Sequence, residues 1–260
     1  MFKRSTIFLY GLLSYAVFFA TFLYAIGFIG NIQIPGVVPR TLDGMPTRAF
    51  LPSLLIDLGL LALFALQHSI MARPAFKRWF TRLIPESAER STYVLASSLA
   101  LIALFYAWQP LGGMVWQVQE GVARGAIWGA YAFGWLLVLA ATFLINHFDL
   151  FGLRQVWLQL LGRPYTNLPF GTPALYKLVR HPLYVGWLFV FWATPVMTLS
   201  HLLFAVMTTV YILLAIQFEE RDLIAHFGNQ YRDYKARVPM LIPGRKRATD
   251  RRREMLRARS

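Results

Sequence analysis

The chain contains no cysteine. Disulfides, thiolate catalysis and cysteine-bound iron–sulfur clusters are thereby excluded, and the redox compartment stays undetermined. Charge is also scarce: 15% of the residues are Asp, Glu, Lys or Arg, against about 25% in soluble domains. Five histidines (His68, His147, His181, His201 and His226) fall into no metal-ligand spacing such as HExxH, so no metal is expected. What is abundant is apolar surface, with 57% hydrophobic residues and 16% aromatics over 260 positions. A soluble domain of this size cannot bury so much of it. The composition is that of an integral membrane protein.

The net charge of +14 does not point to nucleic acid, because 12 of the 26 Lys and Arg residues follow position 217. A basic tail after a membrane span meets anionic lipid, or simply orients the chain. Six apolar stretches are read as transmembrane helices: Thr6–Ile29, Leu51–Met71, Ser91–Trp108, Ala126–Ile145, Leu183–Leu199 and Leu202–Phe218. The first is too long for the apolar region of a cleaved signal. The last two are separated only by Ser200 and His201 and predict a tight hairpin, broken near Pro195. With the N-terminus inside, 23 Lys and Arg residues fall on the inner side and only Arg40, Arg48 and Arg124 on the outer. The positive-inside rule then places both termini in the cytoplasm and the protein in the cytoplasmic membrane. The fold class expected is all-α, with about six spans. Residues 1–243 are expected to form one polytopic domain and 244–260 a basic, disordered tail. The inner segment from Asp149 to Arg180 is long and too apolar for a free linker, which marks it as functional or packed.

Polar groups at membrane depth are functional candidates, since desolvating them is costly. Three clusters qualify. Tyr176, Arg180, His181 and Tyr184 stand at the entrance to the fifth stretch. Glu219 and Glu220, with Arg221 and Asp222, stand at the exit of the sixth. Gln67 and His68 end the second stretch, while Asn146, His147 and Asp149 end the fourth. The hairpin brings the first two clusters to one face. There they form either an interfacial salt bridge or the two halves of a ligand site. Pro182 suits the first turn of a helix, where its missing N–H costs nothing. Gly186 allows close approach by a ligand or by a neighbouring helix. His201 and His226 read as structural, and Asp57 as either a bond to a neighbouring helix or part of a cavity wall.

RHPLYVGW, followed by EERDLIAHFGNQYRDYKARVPMLIP, resembles the C-terminal signature of the isoprenylcysteine carboxyl methyltransferase superfamily of membrane enzymes. That signature is RHPxYxG, a paired Glu, then FGxxYxxYxxxVP, and the match covers Tyr176 to Pro243. NHFDLFGLRQVW, LQHSIMARPAFKRW, FFATFLYAIGFIGN and FWATPVMT resemble the bacterial branch that includes methanethiol S-methyltransferase. The resemblance implies S-adenosyl-L-methionine as cofactor. It places Tyr176, His181, Pro182, Leu183 and Tyr184 along the cofactor pocket, with Glu219 across the hairpin and a cofactor loop at Leu168–Gly171. Arg180 is a candidate for the cofactor's carboxylate, and Gly186 and Glu220 complete the expected cofactor set. Prenylcysteine-modifying members carry a substrate arginine four residues before the residue matching Glu219. Here that position is Ala215, so a carboxylate-bearing substrate is not implied.

The expected partners are therefore a small hydrophobic thiol and membrane lipid, with no nucleic acid. The expected reaction is conversion of methanethiol to dimethyl sulfide. Because the thiolate is the nucleophile, His147, Asp149 and His68 are candidate bases or thiolate stabilisers, with Arg154 a candidate electrostatic partner. Other hydrophobic acceptors (a prenylcysteine, a phospholipid amine, an isoprenoid) are the alternative within enzymes. A membrane transporter or sensor linked to nitrogen-oxide metabolism is the alternative outside them.

Overall fold

The computed structural model describes residues 2–244, so most of the expected basic tail lies outside the described residues. The architecture is helical. Helices α1 (Phe2–Ile29), α2 (Phe50–Ala72), α4 (Glu86–Ala107), α5 (Val122–Ile145) and α9 (Leu199–Phe227) are long and apolar enough to cross a membrane. Between them lie the short helices α3 (Pro74–Phe80), α6 (His147–Leu150), α7 (Leu153–Leu160) and α8 (Pro182–Trp192), with α10 (Asn229–Arg237) after them. This is a multi-pass membrane protein.

The fifth apolar stretch departs from expectation. Helix α8 has 11 residues, about 17 Å of rise, against a hydrocarbon core of roughly 30 Å. Its end is set by Pro195, which bars helix at the preceding residue. The chain then runs extended into strand β2 (Val196–Thr198), which pairs antiparallel with β1 (Met114–Gln117). This small sheet closes one end of the molecule. The sixth stretch departs in the opposite sense: α9 runs 29 residues, so Glu219 and Glu220 lie within it and not beyond its end.

The long helices close into a ring. Helix α1 packs on α4, α4 on α2, α2 on α9, α9 on α8 and α8 on α5. The circuit is completed by Tyr131 of α5, whose hydroxyl donates to the Ile26 carbonyl of α1 at 2.6 Å. Inside sit Phe28, Leu104, Phe105, Trp108, Trp135, Phe191 and Phe204, a mainly aromatic core. On α8, Val190 and Phe191 are buried members of this core, Tyr184, Trp187 and Leu188 pack against it, and Gly186 is buried against α5. The α5–α8 contact is made by two glycines. A Cβ on Gly186 would stand 2.8 Å from the Val138 backbone nitrogen and 2.9 Å from the Gly134 carbonyl, and one on Gly134 would meet Gly186 in turn. Gly186, expected in the cofactor set, is therefore taken up by helix packing.

The segment from Asp149 to Arg180 is packed, as its composition requires. Helix α7 lies on α1, where Val156 is fully buried against Gly11. Phe170 then docks on Phe227, Tyr231 and Tyr234, with ring centroids 5.1, 6.0 and 5.6 Å away.

Candidate active site

At the end of the ring away from the β-sheet, α8 begins beside α9, and the chain after α10 returns to meet both. The backbone N–H groups of Arg180 and His181 donate to the carbonyls of Pro239 (2.9 Å) and Met240 (3.2 Å). Pro182 occupies the first turn of α8, as its chemistry predicts. The two adjacent glutamates of α9 then have different fates, because successive helix residues point about 100° apart.

Glu220 turns inward, its side chain 3% exposed. Its Oε1 accepts from Arg180 Nε at 2.6 Å and from His181 Nε2 at 3.1 Å, while Lys235 Nζ lies 2.7 Å from Oε2. Arg180 also donates through Nη1 to the carbonyls of Val238 (2.6 Å) and Lys235 (3.2 Å). Arg180, expected to meet a cofactor carboxylate directly, spends these donors inside the protein. One buried carboxylate thus locks α8, α9 and α10 together, and this part of the constellation is the interfacial ion-pair reading.

Glu219 turns the other way. Its side chain is 43% exposed, and Oε2 accepts the Tyr184 hydroxyl at 2.9 Å. Around it stand His181 (Nδ1 at 3.9 Å) and Tyr176, whose hydroxyl donates to the Ala141 carbonyl at 3.4 Å. Burial and the Glu219 charge push the Tyr176 hydroxyl up in pKa, so it stays a neutral donor. Tyr234 donates to the Tyr176 carbonyl at 2.6 Å and is itself pushed up to about 12 by burial. The Tyr231 hydroxyl, buried and within electrostatic reach of Glu220, Arg180 and Glu219, has no partner among the described residues. An exposed carboxylate beside an orphaned hydroxyl and aromatic faces can hold a polar, cationic ligand. Leu183, half-buried, follows Pro182 at the same rim.

The four residues considered as candidate bases or thiolate partners separate into two places. His147 is buried on the α1–α5 side, with the Tyr15 hydroxyl 2.8 Å from Nε2 and the Thr142 hydroxyl 2.9 Å from Nδ1. Its ring stacks on Phe143 at 4.3 Å, and burial holds its pKa below the usual histidine range. Asp149 pairs with Arg154 at 2.9 Å and accepts the Tyr165 hydroxyl at 3.3 Å. Arg154 also binds Thr166 through its carbonyl (2.9 Å) and hydroxyl (3.0 Å). These three residues knot the segment after α5; both nitrogens of His147 are engaged and Asp149 is neutralised.

His68 is elsewhere, on α2 and facing α4. The Tyr93 hydroxyl lies 2.7 Å from Nε2, and the Ser97 hydroxyl 3.1 Å from Nδ1. Tyr211 of α9 lies against the same ring, 6.4 Å between centroids, and bonds Ser69 at 3.2 Å. Tyr93 and Tyr211 also lie within electrostatic reach of Tyr184. His68, Tyr93 and Tyr184 are each half-buried. Sequence reading missed Tyr93, Ser97 and Tyr211; the spacing of Tyr93 and Ser97, one helical turn apart opposite His68, was the available signal.

Comparison with known proteins decides the relationship. The NnrU protein family matches residues 56–238. The chain belongs to this family. It is 55% identical over 241 residues to a methanethiol S-methyltransferase of Crocosphaera subtropica, covering 93% of each chain. It is 52% identical over 255 residues to methanethiol S-methyltransferase 2 of Bradyrhizobium diazoefficiens, covering 96% of each. More distantly, nurim of Rattus norvegicus is 30% identical over 234 residues, 82% of this chain and 87% of that one. No solved structure matches. The two bacterial relatives carry the name of the branch to which the sequence motifs pointed.

Proposed function

We propose that this NnrU-family protein is a membrane methyltransferase that uses S-adenosyl-L-methionine to convert methanethiol to dimethyl sulfide. The observation that carries the reading is the identity of 55% across 93% of the chain with a relative named for methanethiol S-methylation. The site's chemistry supports it. S-adenosyl-L-methionine, when bound, supplies an electrophilic methyl group on a sulfonium sulfur.

Glu219 would face the ammonium or accept ribose hydroxyls, using the oxygen that Tyr184 leaves free. Tyr176 and Tyr184 present ring faces to the cationic or adenine portions, and the orphaned Tyr231 hydroxyl gains a partner. His181, Pro182 and Leu183 shape the rim, while Arg180 and Glu220 hold the two helices at the spacing the ligand needs. Trp187 and Phe191, stacked at 5.5 Å on the core side of Tyr184, exclude water from the reacting atoms. The membrane is the cytoplasmic one and the site opens to the cytoplasm, because basic residues concentrate at that end of the bundle. Residues 1–243 act as one domain, with the basic tail against anionic lipid.

Purified protein given isotopically labelled cofactor and methanethiol should release labelled dimethyl sulfide into the headspace. Larger thiols, prenylated cysteine and phospholipid amines should be poorer acceptors. Absence of transfer to any thiol would refute the reading. Calorimetry with S-adenosyl-L-methionine separates the non-enzymatic alternative, which requires no binding. Unaltered affinity in Glu219→Ala would show the pocket to be misplaced.

A further inference from the structure

Helix α8 is apolar on every side, and a helix of that kind is covered all round by protein or by lipid. One side faces the aromatic core, and Gly186 meets α5. The remaining side carries Val185, Phe189 and Trp192, at i, i+4 and i+7. These residues form one wall of an open groove of about 620 Å³, closed otherwise by Ala130 of α5 and the segment 241–243. Trp192 spends its only donor on Thr209 Oγ1, at 2.9 Å, so the groove offers a ligand no charge and almost no hydrogen bonding. Its lip is Ile242, 82% exposed. In a bundle that crosses a bilayer, an aliphatic lip beside an apolar groove is covered by hydrocarbon.

One end of the groove lies where the N–H groups of Arg180 and His181 meet the carbonyls of Pro239 and Met240. Charge in the flanking sequence is one-sided. No Asp or Glu occurs between Asp149 and Glu219, nor between Asp233 and Asp250. Lys177 and Arg237, in these same stretches, are exposed. Arg245, Lys246 and Arg247 follow Pro243 within four residues, a reach of at most about 14 Å. An anionic headgroup suits such a mouth.

From the groove and this charge we infer that the protein binds an anionic phospholipid, one acyl chain lying in the groove and the phosphate among these cations. The chain's own terminal sequence, RKRATDRRREMLRARS, is too charged to fill an apolar groove instead. The backbone gives the lipid a role. Among the described residues, no backbone hydrogen bond holds 241–243, and only Leu241 packs on the core from one side. A chain in the groove covers the other side. It thereby steadies the segment whose carbonyls cap α8, the helix that presents Tyr184.

The test uses the full-length protein, stripped of lipid in detergent. Dioleoyl-phosphatidylglycerol is added, with binding read by native mass spectrometry and stability by thermal unfolding. At a hundredfold excess over Kd it should raise the unfolding midpoint by about 5–10 °C. Dioleoyl-phosphatidylcholine, with the same chains, should bind about tenfold more weakly, and glycerol phosphate should have no effect. Ile242→Asn, at an exposed position, should keep the fold and weaken phosphatidylglycerol about tenfold, which halves the shift. Ala130→Phe fills the groove and should do the same. A phosphatidylglycerol with a photoreactive group midway along one acyl chain locates it in wild type without any substitution; adducts on 185–192 or 241–243 are expected. Equal binding of phosphatidylcholine, a full shift from glycerol phosphate alone, unaltered binding in both variants, or adducts confined to other helices each overturn the inference. So does a dimer that Ile242→Asn abolishes while phosphatidylglycerol has no effect, since the groove then takes a second copy. Neither readout involves S-adenosyl-L-methionine, so this inference stands or falls independently of the methyl transfer.

Discussion

Replacing Glu220 by Gln tests the division of labour between the adjacent glutamates. The side chain keeps its size and loses its charge. Arg180, 4% exposed in its side chain, then retains a buried guanidinium facing a neutral amide. Breaking a buried ion pair from one side costs about 3–5 kcal/mol, because the partner's charge stays buried and uncompensated. The Lys235 contact adds little, since that side chain is 32% exposed and water screens it. His181, bonded to the same oxygen at 3.1 Å, loses an acceptor worth about 1 kcal/mol net. A net loss of roughly 4–6 kcal/mol corresponds to about 15 °C in the unfolding midpoint of a chain this long. Thermal unfolding in detergent, followed by tryptophan fluorescence with and without S-adenosyl-L-methionine, reads the shift. Glu219→Gln, changed at a half-exposed position, should unfold within about 1 °C of wild type while losing cofactor affinity. If Glu220→Gln unfolds like wild type and loses only cofactor binding, the inward carboxylate is a ligand group and the reasoning fails.

Tyr184→Phe removes the hydroxyl that orients Glu219, and cofactor affinity by calorimetry should weaken about five- to tenfold, one hydrogen bond's worth. Gly186→Ala places a methyl against the α5 backbone; it should destabilise the fold by about 1–3 kcal/mol in thermal unfolding, with activity lost in proportion to folded protein. Asp149→Asn should lower the temperature at which limited proteolysis cuts the segment after α7, with kcat of the intact enzyme unchanged. His147 has a folded pKa below the unfolded value of 6.5. The unfolded state therefore binds the proton first, so stability is full above that pH and declines as pH falls below it. Unfolding midpoints measured from pH 7.5 down to 5.5 should show this slope in wild type and a shallower one in His147→Gln.

Much of the architecture was legible along the chain. Hydropathy finds helices because every backbone group in a bilayer must be satisfied within its own segment. The motif around Arg180–Tyr184 and Glu219–Glu220 could be found because its polar residues break otherwise apolar runs. The hairpin that joins them follows from one short turn. Pro195 marked the break in the fifth stretch, although only the structure shows that α8 stops after 11 residues and gives way to a strand. That strand pairs with β1, a long-range contact that no local periodicity encodes.

Sequence alone therefore determined that the chain is a multi-pass helical membrane protein, that its polar residues gather at one end, and which family motifs it carries. These are properties of composition and spacing. Only the tertiary structure decided which of two neighbouring glutamates is buried and which is free, because that depends on the face α9 shows to α8 and α10. It also separated His68 from His147. Both histidines end apolar stretches and look alike in sequence, but the ring of helices sets one against Tyr15 of α1 and Thr142 of α5 and the other against Tyr93 and Ser97 of α4.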